Sequence, residues 1–339
     1  MNRPIRTPVF IFVFLVFSLP SFAADGTYKI EVLQVMRDAA PFQNAYNGFV
    51  QELAKNGIVE GKNLTIKRNY VDYDIEKGGL IKKLGVLMDI RSEAQKIADR
   101  KPDLVLTIGT AATKYGKDKI IAAGIPVVFT GAAIPKAAGC KSLTEGGPGL
   151  TGATLYMNMK DALNIVKLSF PSVKTIGIVH TDDDSAIAHT EEARQVGAGM
   201  GLTFITKEIN KSDSVKPAAQ ELIGKGVQAF LITLDTYWGV RHEEPTKDLA
   251  VISRETKLPI ISFMLHKAPG GLLYVGSDFG VVGGLAGQQA VKILKEGAKP
   301  ESLPILRQKD VMILVDVKQF KALDAHLPME ILKLAKPVE

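Results

Sequence analysis

The chain has 339 residues, room for two domains of ordinary size, with 42 basic against 36 acidic residues and a formal charge of +6. That mild positive balance contains no basic tract with interleaved aromatics, which argues against nucleic acid as a partner. A lone cysteine, Cys140, forbids an internal disulfide, so stability has to come from apolar cores.

Residues 1–23 read as a cleavable export signal: Arg3 and Arg6, an apolar run over 9–19, then small residues Ser21 and Ala23 where a signal peptidase reads. The run is too short to cross a bilayer comfortably, and no later segment reaches the roughly 18 uninterrupted apolar residues of a membrane span. Cleavage is expected near Ala23, with no cysteine at the boundary for a lipid anchor.

Four short runs rich in β-branched residues follow, at 30–36, 63–70, 103–109 and 125–130, and four more at 175–180, 202–208, 228–234 and 258–264. Each is bounded by Gly, Pro, Asp or Asn, the look of buried parallel strands. Stretches of helical period separate them, so the chain reads as α/β, two βαβ lobes of similar plan. A cleft between such lobes is where a small ligand is gripped.

In the first half, a polar turn over 37–44 leads into a helix over 45–55, stopped by Asn56 and Gly57. Gly57 to Lys62 fails as a phosphate loop, being one residue short between its glycines and carrying Asn63 where Ser or Thr should bind magnesium. In an open parallel sheet the ligand crevice lies outside the carboxyl ends of the strands, beside helix amino termini. There the chain places Thr110 and Ala111 after the third strand, and Gly131 and Ala132 after the fourth. Thr110 suits a helix cap or a hydroxyl offered to a ligand carboxylate, and both readings stay open. The small residues leave room for a ligand or allow tight packing.

The turn-rich stretch 146–152, followed by a short strand over 153–156, is the best hinge candidate, and a helix over 160–169 opens the second half. Its first strand runs into His180, Asp182, Asp183, Asp184 and Ser185. That acidic run fits a helix start, a ligand-contacting rim or a divalent-cation site. Its third strand ends at Asp235, Tyr237 and Trp238. An aromatic beside a carboxylate at a rim suits a ligand with a flat part and an ammonium, while Asp235 equally suits a plain cap. A further strand over 270–278 precedes a helix over 280–294. The glycines at 280, 283, 284 and 287 do not follow G-x-G-x-x-G, so no dinucleotide and no other cofactor is expected. No G-x-S-x-G, H-E-x-x-H or C-x-x-C occurs, and no catalytic residues are assigned. An exported hydrolase stays as an alternative only because triads assemble in space.

The order Gly48-Phe49, Glu60-Gly-Lys-Asn63, Lys101-Pro-Asp103, 125–129, Leu150-Thr-Gly152, Asp278 with Gly280, and 322–328 resembles the ABC-transporter substrate-binding family that includes tryptophan- and tyrosine-binding members. The resemblance implies a type I periplasmic-binding fold, two lobes of parallel sheet joined by three crossing segments. The lobes would be 28–152 plus 277–306 and 153–276 plus 307–332. It implies a periplasmic monomer that closes by hinge motion on a small organic solute, an amino acid or similar, and delivers it to an inner-membrane permease. A sensing module passing its closed state to a signalling receptor is the alternative within the same fold. Carried over by position, the ligand rim would include Phe42, Thr110, Ala111, Gly131, Asp184, Ser185, Asp235 and Asp278. The chain departs from the family pattern at Ile134-Pro135, Asp235-Thr236 and Asp316, near the rim, so ligand identity is not inherited.

Overall fold

The computed structural model describes residues 27–37, 39–72 and 80–338, without the side chains of 80–83. The expected export signal, residues 1–23, lies outside the described residues. In chain order the first half runs β1 (Tyr28–Val35), α1 (Ala40–Lys55), β2 (Leu64–Val71), α2 (Leu80–Arg100), β3 (Leu104–Ile108), α3 (Thr110–Ala122), β4 (Val127–Ala132) and β5 (Leu150–Thr154). Then come α4 (Met159–Ser169), β6 (Thr175–His180), α5 (Asp184–Ala198), β7 (Thr203–Glu208), α6 (Val215–Gly224), β8 (Ala229–Ile232), α7 (Glu244–Thr256), β9 (Ile260–Ser262) and β10 (Gly271–Gly276). The chain ends with α8 (Phe279–Glu296), β11 (Leu306–Arg307), β12 (Met312–Val315), α9 (Val317–Leu323), α10 (Met329–Leu334) and β13 (Lys336–Pro337).

The strands form two sheets, ordered β11-β5-β4-β3-β1-β2 and β13-β12-β10-β9-β8-β6-β7. The repeat is therefore topological: β2-β1-β3-β4-β5 and β7-β6-β8-β9-β10 are the same doubly wound order. Each reverses direction beside its first strand, which opens a crevice at the carboxyl ends of β1 and β3 and of β6 and β8. Pairing is parallel throughout both repeats; β12 alone among the described strands pairs antiparallel, with β10. It re-enters its sheet directly from the other lobe rather than through a crossover helix.

Alternation along the strands supplies a core on each face. In β3, Leu104, Leu106 and Ile108 pack with Phe49, Val282 and Ala286 on one side, while Val105 packs with Leu33, Ile90 and Val127 on the other. The second lobe has corresponding cores around Ile178, Leu231 and Leu273, and around Phe230, Ile232 and Leu249.

The chain crosses between the lobes after β5, after β10 and after β11. The second crossing returns α8 to pack on α1. A Cβ on Gly283 would sit 1.9 Å from the Ala45 carbonyl oxygen, and one on Gly48 would sit 2.0 Å from that of Gly280. The glycine run of α8 thus serves backbone-to-backbone helix contact. The expected strand over 153–156 lies earlier, as β5, because Gly152 belongs to a strand: its hydrogen faces the Phe129 oxygen, where a Cβ would come within 2.2 Å.

Candidate functional site

Between the carboxyl ends of the two sheets lies a cavity of about 740 Å³. Its first-lobe wall is built from two helix starts. The residue before α1 is Ala39 and that before α3 is Gly109; neither helix has a side-chain cap or an acid in its first turn. Ala40, Pro41, Phe42, Thr110, Ala111 and Ala112 line the cavity, so helix amino termini form a large part of this wall. Free N–H groups and aligned peptide dipoles make such ends favourable to an anion. Gly109 enters α3 at φ +91°, and the Phe42 ring lies over it, its Cζ 3.0 Å from where a Cβ would be. Arg37, exposed at the end of β1, stands over the Tyr70 ring, with Asp72 accepting from its backbone N–H at 3.0 Å.

The second-lobe wall occupies the same topological place and carries Asp183, Asp235 and Glu243, with Arg241 and Lys247 also lining it. Asp183 caps α5, accepting from the Ser185 N–H at 2.9 Å, and also accepts from Thr236 Oγ1 at 2.8 Å and Lys211 Nζ at 3.3 Å. Asp235 caps the single turn Thr236–Gly239, accepting from the Tyr237 N–H at 2.9 Å and from the Thr181 N–H at 2.7 Å. Burial, then the charge of Asp183, pushes the Asp235 carboxyl up. Burial also acts upward on Asp183, but Lys211 and the Thr236 and Ser185 hydrogen bonds outweigh it and hold that carboxyl below its ordinary value. Trp238 lines the cavity and is 2% exposed, its ring 5.2 Å edge-on from Tyr237. Arg241, His242 and Glu243 also line it, three successive residues at φ 50°, 52° and 62° held in place by Arg241 donating to the Lys211 and Asp213 carbonyls.

Of the expected rim residues, Phe42, Thr110, Ala111, Gly131, Ser185, Asp235 and Trp238 line this cavity; Ala132, Asp184, Tyr237 and Asp278 do not. Ala132 is fully buried, and Ala133 takes the lining position. Asp184 reaches across to Lys114 and Tyr115 of α3. Tyr237 turns into the core and donates its hydroxyl to the Asp213 carbonyl at 2.9 Å. Asp278 caps α8, accepting from the Val281 N–H at 2.8 Å. Thr110 is not the cap of α3; that position falls on Gly109, and the Thr110 hydroxyl accepts from Ser185 Oγ at 2.6 Å.

Sequence reasoning passed over Met36, Arg37 and Asp72, although the carboxyl-end rule applied to β1 and β2 points to them. It also missed Asp183 as the buried member of the acidic run, and Met264, His266 and Phe279. Among the described residues no group of three or more His, Cys, Asp or Glu is placed to hold a metal, and no helix is long and apolar enough to cross a membrane.

A family model described as ABC transporter substrate binding protein matches residues 29–339. A tyrosine-binding protein of Clostridioides difficile is 25% identical over 285 residues, 83% of this chain and 76% of that protein. The structure of an ABC domain from Streptococcus pneumonia in complex with L-Trp superposes with a TM-score of 0.74 at 22% identity, covering 93% of this chain and 100% of that one. A ligand-free, open structure of a substrate binding protein with adhesive properties from Clostridium difficile superposes at 0.68 and 24% identity, covering 92% and 99%. The fold is the two-lobed α/β type I periplasmic-binding fold.

Proposed function

Because the chain belongs to the ABC transporter substrate-binding protein family, we propose that it captures a small organic zwitterion, an aromatic α-amino acid or close analogue, outside the cytoplasm. It then presents that solute to an ABC permease. The observation that carries this reading is the polarity of the cavity. Uncapped helix amino termini on one wall suit a carboxylate. The opposite wall offers Asp183 and Asp235 to an ammonium, with Trp238, Phe42 and Phe279 available for a flat side chain. The names of the tyrosine- and L-Trp-binding relatives agree with that chemistry.

Such a ligand touches both walls at once, so it favours the closed arrangement by its differential contacts. The open, ligand-free relative is consistent with lobes that separate. No residue set in the cavity calls for a reaction, and the reading is of a receptor rather than an enzyme.

The test uses protein lacking residues 1–23, unfolded and refolded to strip bound solute, titrated calorimetrically with L-tryptophan, L-tyrosine and L-phenylalanine. Tryptamine and indole-3-propionate, each lacking one charged group, serve as controls. Binding of an aromatic amino acid is expected, with both controls at least tenfold weaker. At a hundredfold excess over Kd, ligand should add about 2.7 kcal/mol of stability. Binding of either control as tightly as the amino acid, or binding of neutral sugars in place of any amino acid, would overturn the reading.

A further inference from the structure

A second set of contacts joins the lobes beside the cavity rather than in it. Asp184, in the first turn of α5, accepts Lys114 Nζ at 2.7 Å on one carboxylate oxygen and the Tyr115 hydroxyl at 2.8 Å on the other. Both donors belong to α3 of the opposite lobe. None of the three residues lines the cavity. Next to them, Ser185 Oγ donates to Thr110 Oγ1 at 2.6 Å, and these two do line it. The Lys114 and Asp184 side chains are 35% and 26% exposed, so the pair is partly withdrawn from solvent.

We propose that Lys114, Tyr115 and Asp184 form a closure latch that sets how tightly and how long the cleft holds its ligand, without touching that ligand. The inference rests on the reading of the cleft as a binding site that closes. Its logic is geometric. Both carboxylate oxygens of one residue are engaged by the other lobe, so any movement that parts α3 from α5 breaks both contacts together. The same movement parts Thr110 from Ser185 and opens the cavity. Contacts present only in the closed form raise its population in the absence of ligand, and apparent affinity scales with that population.

The latch is testable from either lobe. Asp184→Asn acts at the start of α5, and Lys114→Met and Tyr115→Phe act on α3 and leave the α5 start intact. The first readout needs no ligand: the rate of disulfide formation in a Thr110→Cys/Ser185→Cys protein, with the native Cys140 buried. The latch variants should cross-link at least fivefold more slowly than the parent. The second readout is stopped-flow dissociation of L-tryptophan from proteins without the cysteine pair. Asp184→Asn and Lys114→Met should each release it about tenfold faster with association changed less than twofold, and Tyr115→Phe about threefold faster. The double variant Lys114→Met/Asp184→Asn should be no worse than the more severe single one. Unchanged cross-linking, or single effects that simply add in the double variant, would overturn the latch. If cross-linking depends on Asp184 while no amino acid binds, the latch stands and the proposed ligand falls.

Discussion

At corresponding places in two sheets of one topology, the chain does opposite things with its helix starts. After β1 and β3 the residues entering α1 and α3 are Ala39 and Gly109, which leave the first N–H groups without a side-chain partner. After β6 and β8 the corresponding residues are Asp183 and Asp235, which fill them. The shared strand order brings four such ends to one cavity. The choice of cap biases the helix starts of one wall toward an anion and places two carboxylates on the other. On the proposed function, two lobes of the same plan would thereby grip a molecule with unlike ends.

The largest effect expected from breaking this contrast is at Asp183. Its side chain is 12% exposed and that of Lys211 17%, so Asp183→Ala removes the carboxylate from a largely buried ion pair and the cap from α5. A loss of about 3–5 kcal/mol is expected, concentrated in the second lobe. The chain has a single tryptophan, Trp238, in the core of that lobe, so its fluorescence during urea unfolding follows the affected lobe directly. Asp183→Ala combined with Lys211→Met should recover part of the loss. A cost below 1 kcal/mol would mean that the Asp183 carboxylate is not built into the stability of its lobe.

Acid should separate the lobes next. All five histidines, 180, 189, 242, 266 and 326, lie in segments of the second lobe. Burial pulls His189 down to about 4, and its Nδ1 accepts the Leu234 N–H at 3.3 Å, a role for the neutral ring. With an unfolded value near 6.5, the stabilisation is complete above that pH and is lost as pH falls toward the folded value. About 2–3 kcal/mol should disappear between pH 7 and pH 4.5. Asp235, pushed up by burial, works in the opposite direction as pH falls, so the informative quantity is the difference between the parent and His189→Gln. Urea midpoints followed through Trp238 should fall steeply with acid in the parent and more shallowly in the variant. Equal slopes would remove His189 as the cause.

Much of this architecture is legible in residues 30–36, 103–109 and their counterparts, because a strand buried on both faces leaves a dense apolar signature whatever surrounds it. The two acidic and aromatic strand ends are legible for the same reason, since a parallel strand's carboxyl end is a place that can be counted to. Which neighbouring side chain faces the cavity is not. Tyr237 and Trp238 are adjacent on one turn and belong to the same core, yet only Trp238 also lines the cavity. Glycine misleads in the opposite sense. Gly152 reads as turn but sits within β5, where a neighbouring backbone leaves no space for a Cβ. Asp184 shows a third limit: its partners Lys114 and Tyr115 lie in the other lobe, and no local pattern announces them.

A smaller change tests the first wall. Gly109→Ala would place a side chain at φ +91°, ψ 161°, a region essentially reserved for glycine, and would push its Cβ toward Phe42 Cζ at 3.0 Å. A stability loss of about 1–3 kcal/mol is expected from the backbone alone. Because the displaced ring lines the cavity, L-tryptophan affinity in calorimetry should fall as well, by tenfold or more. Lost stability with intact affinity would show that Phe42 and the α3 start do not contact the ligand.

Asp278 should give the smallest effect and the sharpest discrimination. It caps α8, a first-lobe helix, through the Val281 N–H, and its own N–H donates to Gln308 Oε1 at 2.9 Å, tying two of the crossing segments. The residue after it, Phe279, lines the cavity, but Asp278 does not. The first lobe therefore retains an acidic cap on a helix whose capping residue stands off the cavity, and leaves uncapped the two starts that face it. Asp278→Ala should cost about 1 kcal/mol, the ordinary cost of a lost cap, and leave L-tryptophan affinity within twofold. Asp278→Asn or Asp278→Ser, which keep an acceptor, should restore most of the stability. A tenfold drop in affinity at near-parent stability would place a carboxylate of the first lobe on the ligand, and the ammonium would then lie between the walls instead of against the second one.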